Sequence, residues 1–384
     1  MRNDGKIKIP GGDILILELG GIGDAIMSLP AIEAILSARG NRPTTILTVH
    51  RTRPIIENLR RRGLHNFEVL ATGALQRGGQ GGGLSGWFWL LRGLRSRRFD
   101  AVIDLSAIET PGAAVKRYFF LKALGARETL GRDTGGKGWA FGRRAAESLT
   151  SSEHETQRKM KVAGLFGAKT VRSAPAIATS EEERERAGRL LSGPCGEAGL
   201  VAGVSPGAYR QSRMWPEERF AEVIKWLLRD MMACVVLTGG DRERGVIESL
   251  AGSFAGEKIT TVVDIPLVEL AAVIGKMDIF ITNDTGPMHI AAAMDVPVVA
   301  LFGQTNLHRY HPYMDDSRYI ALKKGCEACP HLSFRHPMQE CRRLICKGKE
   351  CMTSIHAVEV KEAVGKLLAG RKPAGRLEIK RRAG

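Results

Sequence analysis

Long apolar runs are absent from this chain of 384 residues. The longest, such as Val296 to Phe302, are far shorter than the ~20 residues a membrane-spanning helix needs, so no helical span is expected. Residues 1–12 are polar and glycine-rich and hold no apolar segment of the kind a secretory leader requires. A cytoplasmic protein is expected. Aromatic residues make up only 6% of the chain and do not interleave with its basic runs, which counts against a base-stacking nucleic-acid surface. Cysteine is sparse outside one cluster, five of the seven lying between Cys326 and Cys351. A fold built on disulfides is therefore not expected. The chain also lacks D-x-D, G-x-x-x-x-G-K-[ST] and H-E-x-x-H. The first absence disfavours a transferase that grips its donor through an Asp-bound cation. The other two disfavour a P-loop and a zinc-protease helix.

Positive charge and glycine are what the chain has in quantity. A net charge of +16 suits anionic partners: phosphorylated small molecules, an acidic membrane face, or nucleic acid. The basic runs Arg51 to Arg62, Arg92 to Arg98, Arg342 to Lys349 and Arg371 to Arg382 read equally as solvated surface.

Strand and helix patterns alternate along most of the sequence. Asp13 to Glu18 reads as a buried strand, followed by the glycine turn Leu19 to Gly23 and a helix from Asp24 to about Ala38, which Pro30 is expected to kink. Strands follow at Thr45 to Val49, Phe67 to Leu70 and Ala101 to Leu105, with helices at Pro54 to Arg62 and Thr110 to Leu124. Arg127 to Trp139 reads as a strand end and loop, and Gly78 to Gly86 as a mobile loop. The alternation restarts at Ala174 to Glu185, taken as the connection between halves plus the first helix of the second half. Strands at Leu200 to Val204, Ala233 to Leu237, Thr260 to Val263, Ile279 to Thr282 and Val298 to Phe302 then alternate with helices. After Gly303 the pattern loosens until a last helix at Ala357 to Leu368. Such a chain predicts an α/β fold of two Rossmann-like parallel-sheet domains facing each other across a cleft. The expected divisions are residues 1–178, residues 179–355, a C-terminal helix at 356–370 and a basic tail at 371–384. Ligands of such sheets bind beyond the carboxyl ends of the strands, where the glycine turns lie.

Four of those turns are candidate sites. At Asn283 to His289 a short strand runs into Asp284-Thr285-Gly286-Pro287-Met288-His289. With Pro287 at the first helical position, free N–H groups and the helix dipole form an anion site to which Thr285 and His289 add donors. The same residues suit an ordinary capped helix. At Gly21-Ile22-Gly23-Asp24, Asp24 is either a cap or a general base facing the cleft, with Gly21 and Gly23 letting a substrate near the backbone. The dinucleotide fingerprint is not completed, because Ile26 stands at the third glycine position. Ser205 to Pro216 places Arg210 and Arg213 after a strand end, where a guanidinium can pair phosphate oxygens; a basic surface loop is the alternative. Trp215 reads as a packing residue. Thr238-Gly239-Gly240-Asp241 could hold a nucleotide's ribose or base, or merely form a tight turn. Cys326, Cys329, Cys341 and Cys346 allow a structural zinc site, behind the reading of reduced or redox-labile thiols.

Taken in order, these segments resemble glycosyltransferase family 9, the heptosyltransferase-like enzymes of lipopolysaccharide core synthesis. The matching pieces are Leu19 to Pro30, Phe99 to Leu105, Ser205 to Phe220, Leu237 to Gly240 and Ile281 to Gly303. The resemblance implies a metal-independent, inverting glycosyltransferase of the two-Rossmann GT-B type, without a cofactor. Its ADP-activated donor, usually a heptose, would lie on the C-terminal domain and its lipid-linked saccharide acceptor on the N-terminal one. Asp24 matches the family's general base and Thr285 to His289 its diphosphate turn. Arg213 falls where a lysine is frequent. Ser205, Arg210, Thr238, Gly239, Glu243 and Asp284 complete the expected donor side; Gly21 and Gly23 lie on the acceptor side. The family continues Pro-Thr-Asp-Pro where this chain has Gln304 to Leu307. A sugar-nucleotide epimerase or a non-catalytic nucleotide-sugar binder on the same scaffold is the alternative, and specific nucleic-acid binding is not expected. The basic surface suggests peripheral contact with an anionic inner membrane leaflet.

Overall fold

A computed structural model of the chain describes residues 11–72, 84–148, 151–169, 174–196, 198–325 and 350–369, without the side chains of residues 84–88. Its first half holds six parallel strands: β1 (Ile14–Glu18), β2 (Thr44–Val49), β3 (Phe67–Thr72), β4 (Ala101–Asp104), β5 (Glu128–Thr134) and β6 (Arg143–Glu147). They stand in the order β3-β2-β1-β4-β5-β6. The second half holds β7 (Val201–Ser205), β8 (Cys234–Gly239), β9 (Ile259–Val263), β10 (Ile279–Asn283), β11 (Val298–Phe302) and β12 (Tyr319–Lys323), in the order β12-β11-β10-β7-β8-β9. Each sheet therefore reverses its winding beside its first strand. This is the two-Rossmann arrangement expected from the alternation.

The helices are α1 (Ile22–Arg39), α2 (Arg53–Glu57), α3 (Leu84–Ser96), α4 (Pro111–Leu124), α5 (Glu155–Leu165), α6 (Glu181–Cys195), α7 (Glu217–Arg229), α8 (Arg244–Gly252), α9 (Leu267–Ile274), α10 (Gly286–Ala293), α11 (Leu307–Tyr310), α12 (Glu350–Thr353) and α13 (Ala357–Ala369). Central strands such as β1, β10 and β11 are buried along their whole length, as helices on both sheet faces require of apolar runs. Helix α1 continues through Pro30, so the lost N–H there does not end it. Thr110 caps α4 by accepting the Ala113 N–H at 3.2 Å.

Three elements depart from the sequence pattern. The stretch read as a strand end and loop is a seven-residue strand, β5; its charged and polar residues lie near the sheet edge. Strand β6 carries Arg143, Arg144 and Glu147 and has no apolar alternation to mark it. Beyond Gly303 a twelfth strand, β12, pairs with β11.

The connection between halves is pinned by Asn58. Its side chain accepts the Ala178 N–H at 2.8 Å and donates to the Ala178 carbonyl at 2.7 Å. Trp215 is buried against Phe220 and donates its indole N–H to the Ile355 carbonyl at 2.9 Å. Helix α13 shares an apolar cluster with α7 and Trp215. Cys195 and Cys234 are disulfide-bonded, with Cα atoms 5.3 Å apart. One apolar cluster runs without a break from β1 and α1 into α9, α10 and β11, so the halves meet through hydrophobic contact at the base of the cleft.

Candidate active site

Both sheets point the carboxyl ends of their strands into a cavity of about 940 Å³ between the halves. Asp24 enters it from the first turn of α1. Its Oδ2 accepts the Gly21 N–H at 3.0 Å, so it caps the helix, yet the half-buried side chain also lines the cavity. The two readings of Asp24 are therefore compatible.

Across the cavity stands the start of α10. Gly286 is its first residue and Pro287 its second, one place later than expected. Thr285 occupies the cap position with an extended backbone but makes no side-chain cap bond; its hydroxyl reaches the Asn283 carbonyl at 3.3 Å. A helix start leaves its first N–H groups without partners inside the helix, and those of Thr285 and Gly286 stand at the cavity wall. Asp284 pairs with Arg213 at 3.1 Å and so holds the guanidinium beside this helix start. Asn283 is structural. It donates to the Pro206 and Gly207 carbonyls at 2.8 and 3.2 Å and accepts the Trp215 N–H at 3.1 Å, locking the loop after β7 to the end of β10.

The two helix starts touch. A Cβ at Gly23 would lie 2.6 Å from the His289 ring, and one at Gly286 would lie 3.0 Å from Ile22. Gly23 and Gly286 line the cavity, and they also let the two halves of the protein approach each other closely. Burial pushes the His289 imidazole below its ordinary pKa, against the pull of Asp284 and Asp24. A neutral ring at neutral pH follows.

Three comparisons with known proteins bear on this geometry. A family model described as glycosyltransferase family 9 (heptosyltransferase) matches residues 87–337. The chain belongs to glycosyltransferase family 9. Lipopolysaccharide heptosyltransferase 3 of Escherichia coli is 22% identical over 304 residues, covering 77% of this chain and 84% of that one. A glycosyl transferase family 9 structure from Veillonella parvula DSM 2008 aligns with a TM-score of 0.70 at 21% identity, over 94% of this chain and 99% of its own. The structure of E. coli ADP-heptose lps heptosyltransferase II aligns at 0.68 and 18%, over 93% and 98%. This chain is thus a glycosyltransferase with the GT-B fold.

In this family 9 enzyme the cavity gathers most of the residues expected from sequence: Gly21, Gly23 and Asp24 from one side; Ser205, Arg210, Arg213, Gly239, Glu243, Asp284, Thr285, Gly286, Pro287 and His289 from the other. Thr238 and Met288 are not part of the lining. Thr238 is fully buried in β8. Met288 is buried in the apolar cluster under α10. Glu243 spends one oxygen on the Gly240 N–H at 2.9 Å. Gly203 to Gly207 happens to spell G-x-S-x-G. A nucleophile elbow needs a sharp strand-to-helix turn with an exposed serine, whereas Ser205 is 2% exposed and residues 206–216 separate it from α7. Cys326, Cys329, Cys341 and Cys346 and the segment Gly78 to Gly83 lie outside the described residues.

Sequence reading missed other members of the site. His50, Arg51, Thr305 and Tyr310 also line the cavity. Two buried charge clusters lie outside its lining. In one, Lys159 of α5 meets Glu18 at 3.1 Å. In the other, Arg132 joins Glu147 and Glu155, and Glu155 reaches Arg309 of the second half at 2.6 Å. A charged residue ending the apolar strand I-L-I-L-E was the one visible hint, at Glu18.

Proposed function

We propose that this enzyme moves a sugar, a heptose, from an ADP-activated donor to a lipid-linked saccharide of the lipopolysaccharide-core kind, with inversion and without a metal ion. The observation that carries the reading is the pairing of one carboxylate, Asp24, with one cationic helix start, that of α10 beside Arg213, on opposite walls of a single cleft. An acceptor hydroxyl attacks the anomeric carbon and Asp24 takes its proton. The bond to the donor diphosphate breaks with its electron pair on the leaving oxygen. Charge growing there is met by the N–H groups of Thr285 and Gly286, the Thr285 hydroxyl and the Arg213 guanidinium. Attack from one face and departure from the other inverts the centre in a single step. The second half then serves as donor domain (residues 179–355, with the helix Ala357–Ala369 packing on it) and the first, residues 1–178, as acceptor domain. An E. coli heptosyltransferase of the same fold has been solved with ADP, which supports this choice of nucleotide.

The test is turnover of ADP-heptose with and without a heptose-accepting lipid A–saccharide. Transfer that requires the acceptor is expected. Acceptor-independent conversion of the donor sugar would replace the reading with epimerisation, and tight donor binding without any turnover would leave a binding protein.

Such an acceptor resides at a membrane, and among the described residues no helix is long and apolar enough to cross one. The first half offers a docking face. Trp89 on α3 and Phe119 on α4 are 66% and 64% exposed, and Val115, one turn before Phe119, and Trp139, against Tyr118, are also exposed. Arg92 and Lys122 stand over Trp89 and Tyr118. Aromatic groups interleaved with cations suit an anionic bilayer surface. At low salt the enzyme is expected to sediment with phosphatidylglycerol vesicles and to lose about tenfold in binding after Phe119→Glu with Trp139→Glu. Equal binding to phosphatidylcholine vesicles would sink the proposal.

A further inference from the structure

Beneath the turn that carries Asp24 lies a buried polar cluster that the reaction as written does not use. Lys159, 1% exposed, projects from α5 towards the first turn of α1. Its ammonium donates to Glu18 Oε2 at 3.1 Å, to Ser28 Oγ at 2.6 Å and to the backbone carbonyl of Asp24 at 2.9 Å. A lysine has three N–H donors, and all three are engaged. Glu18, the last residue of β1 and 1% exposed, accepts the Gly20 N–H on Oε1 at 3.1 Å. Its other oxygen faces Lys159 and the Ser28 hydroxyl. Ser28, one turn along α1, also has the Asp24 carbonyl within reach at 2.9 Å. The backbone is thus gripped on both sides of the base: at Gly20 by Glu18, and at Asp24 by Lys159 and Ser28.

Packing alone does not demand this arrangement. Taking two charges out of water is costly, and well-packed apolar residues commonly serve as well or better for stability. What a fully bonded charge pair supplies is a fixed geometry, and a reacting group displaced by 1 Å can lose about a hundredfold in rate. We propose that Lys159, with Glu18 and Ser28, is a positioning residue that sets the Gly20–Asp24 turn so that the Asp24 carboxylate meets the acceptor hydroxyl. The inference rests on the reading of Asp24 as base.

The test removes both charges together, as Glu18→Gln with Lys159→Met, because a single change would strand the other charge in the core. The double variant is expected to fold with a melting temperature near the parent's, to bind ADP unchanged by calorimetry, and to lose about a hundredfold in kcat. In an Asp24→Asn background the same pair of changes is expected to cost no further kcat, since it acts through Asp24. The charge swap Glu18→Lys with Lys159→Glu keeps a buried pair but leaves residue 159 without an N–H for the Asp24 carbonyl, so low kcat is expected to persist. A stable double variant with parental kcat, or a swap that recovers kcat, overturns the proposal. If instead Asp24→Asn keeps near-parental turnover, the base reading itself has failed, which is a separate result.

Discussion

Asp24→Asn is expected to lower kcat by about 10²–10⁴, the usual worth of a positioned general base, while ADP affinity stays close to the parent's. The substitution is nearly isosteric. The amide oxygen can still accept the Gly21 N–H that Oδ2 takes at 3.0 Å, so the first turn of α1 keeps its cap. The donor groups lie elsewhere, on α10 and at Arg213, where Asp284 holds the guanidinium at 3.1 Å. Steady-state turnover with acceptor, set beside a calorimetric ADP titration, separates the two effects. Near-normal turnover removes Asp24 from the base role. Loss of ADP affinity together with thermal stability would mark it as a cap only.

A second large effect is expected away from the chemistry. Arg132 is fully buried between Glu147 and Glu155, at 3.1 Å from an oxygen of each through Nη2. Glu155 also accepts from Arg309 of the second half at 2.6 Å. Glu155→Gln leaves two buried guanidinium groups sharing less negative charge, and breaking a buried pair in this way costs about 3–5 kcal/mol. A fall in the thermal midpoint of roughly 10 °C is the expected readout; an unchanged midpoint would show that the cluster contributes nothing. Because one partner lies in each half, looser closure of the cleft and a lower kcat are expected to accompany it.

The same cluster sets the acid limit of the fold. Burial alone would raise the Glu155 carboxyl, but Arg132 and Arg309 outweigh it and hold it well below its ordinary 4.5. The unfolded chain therefore takes up this proton first, and the stability is present above about 4.5 and lost as pH falls further. Next to it, His154 is pushed from 6.5 down to about 3, by burial and then by His311. Its neutral ring stacks on Tyr313 and meets the His311 carbonyl at 2.9 Å. That contribution declines from about pH 6.5 downward. Stability of the parent should thus start to fall below neutrality, and Glu155→Gln should flatten the steepest part of the loss below about pH 4.5.

Where local pattern and local structure coincide, the sequence was legible. The apolar runs I-L-I-L, A-V-I-D and V-V-A-L-F became the buried central strands, because a strand buried on both faces needs nothing beyond its own residues to be recognised. The Thr285–Pro287 helix start and the Asp24 turn were legible for the same reason. Strand β6 and helix α5 were not. Their polar residues, Arg143, Glu147, Glu155, Arg158 and Lys159, look like exposed surface until their partners are known. Gly23 was legible as a point of close approach, but that the other half of the protein approaches there, and at Gly286, was not.

By itself the sequence determined two doubly wound halves, glycine turns at their strand ends, an anion-seeking helix start and membership of a transferase family. The turns and the helix start depend on residues within a few positions of one another, and the halves and the family on the order in which such local segments follow. Only the tertiary structure decided that Asp24 shares a cleft with that helix start, that Lys159 and Glu18 grip its backbone from below, and that Glu155 ties the halves through Arg309. Those partners lie 141 and 154 residues apart in the chain. Burial makes a charge choose its partner, and no local periodicity records which partner packing will bring.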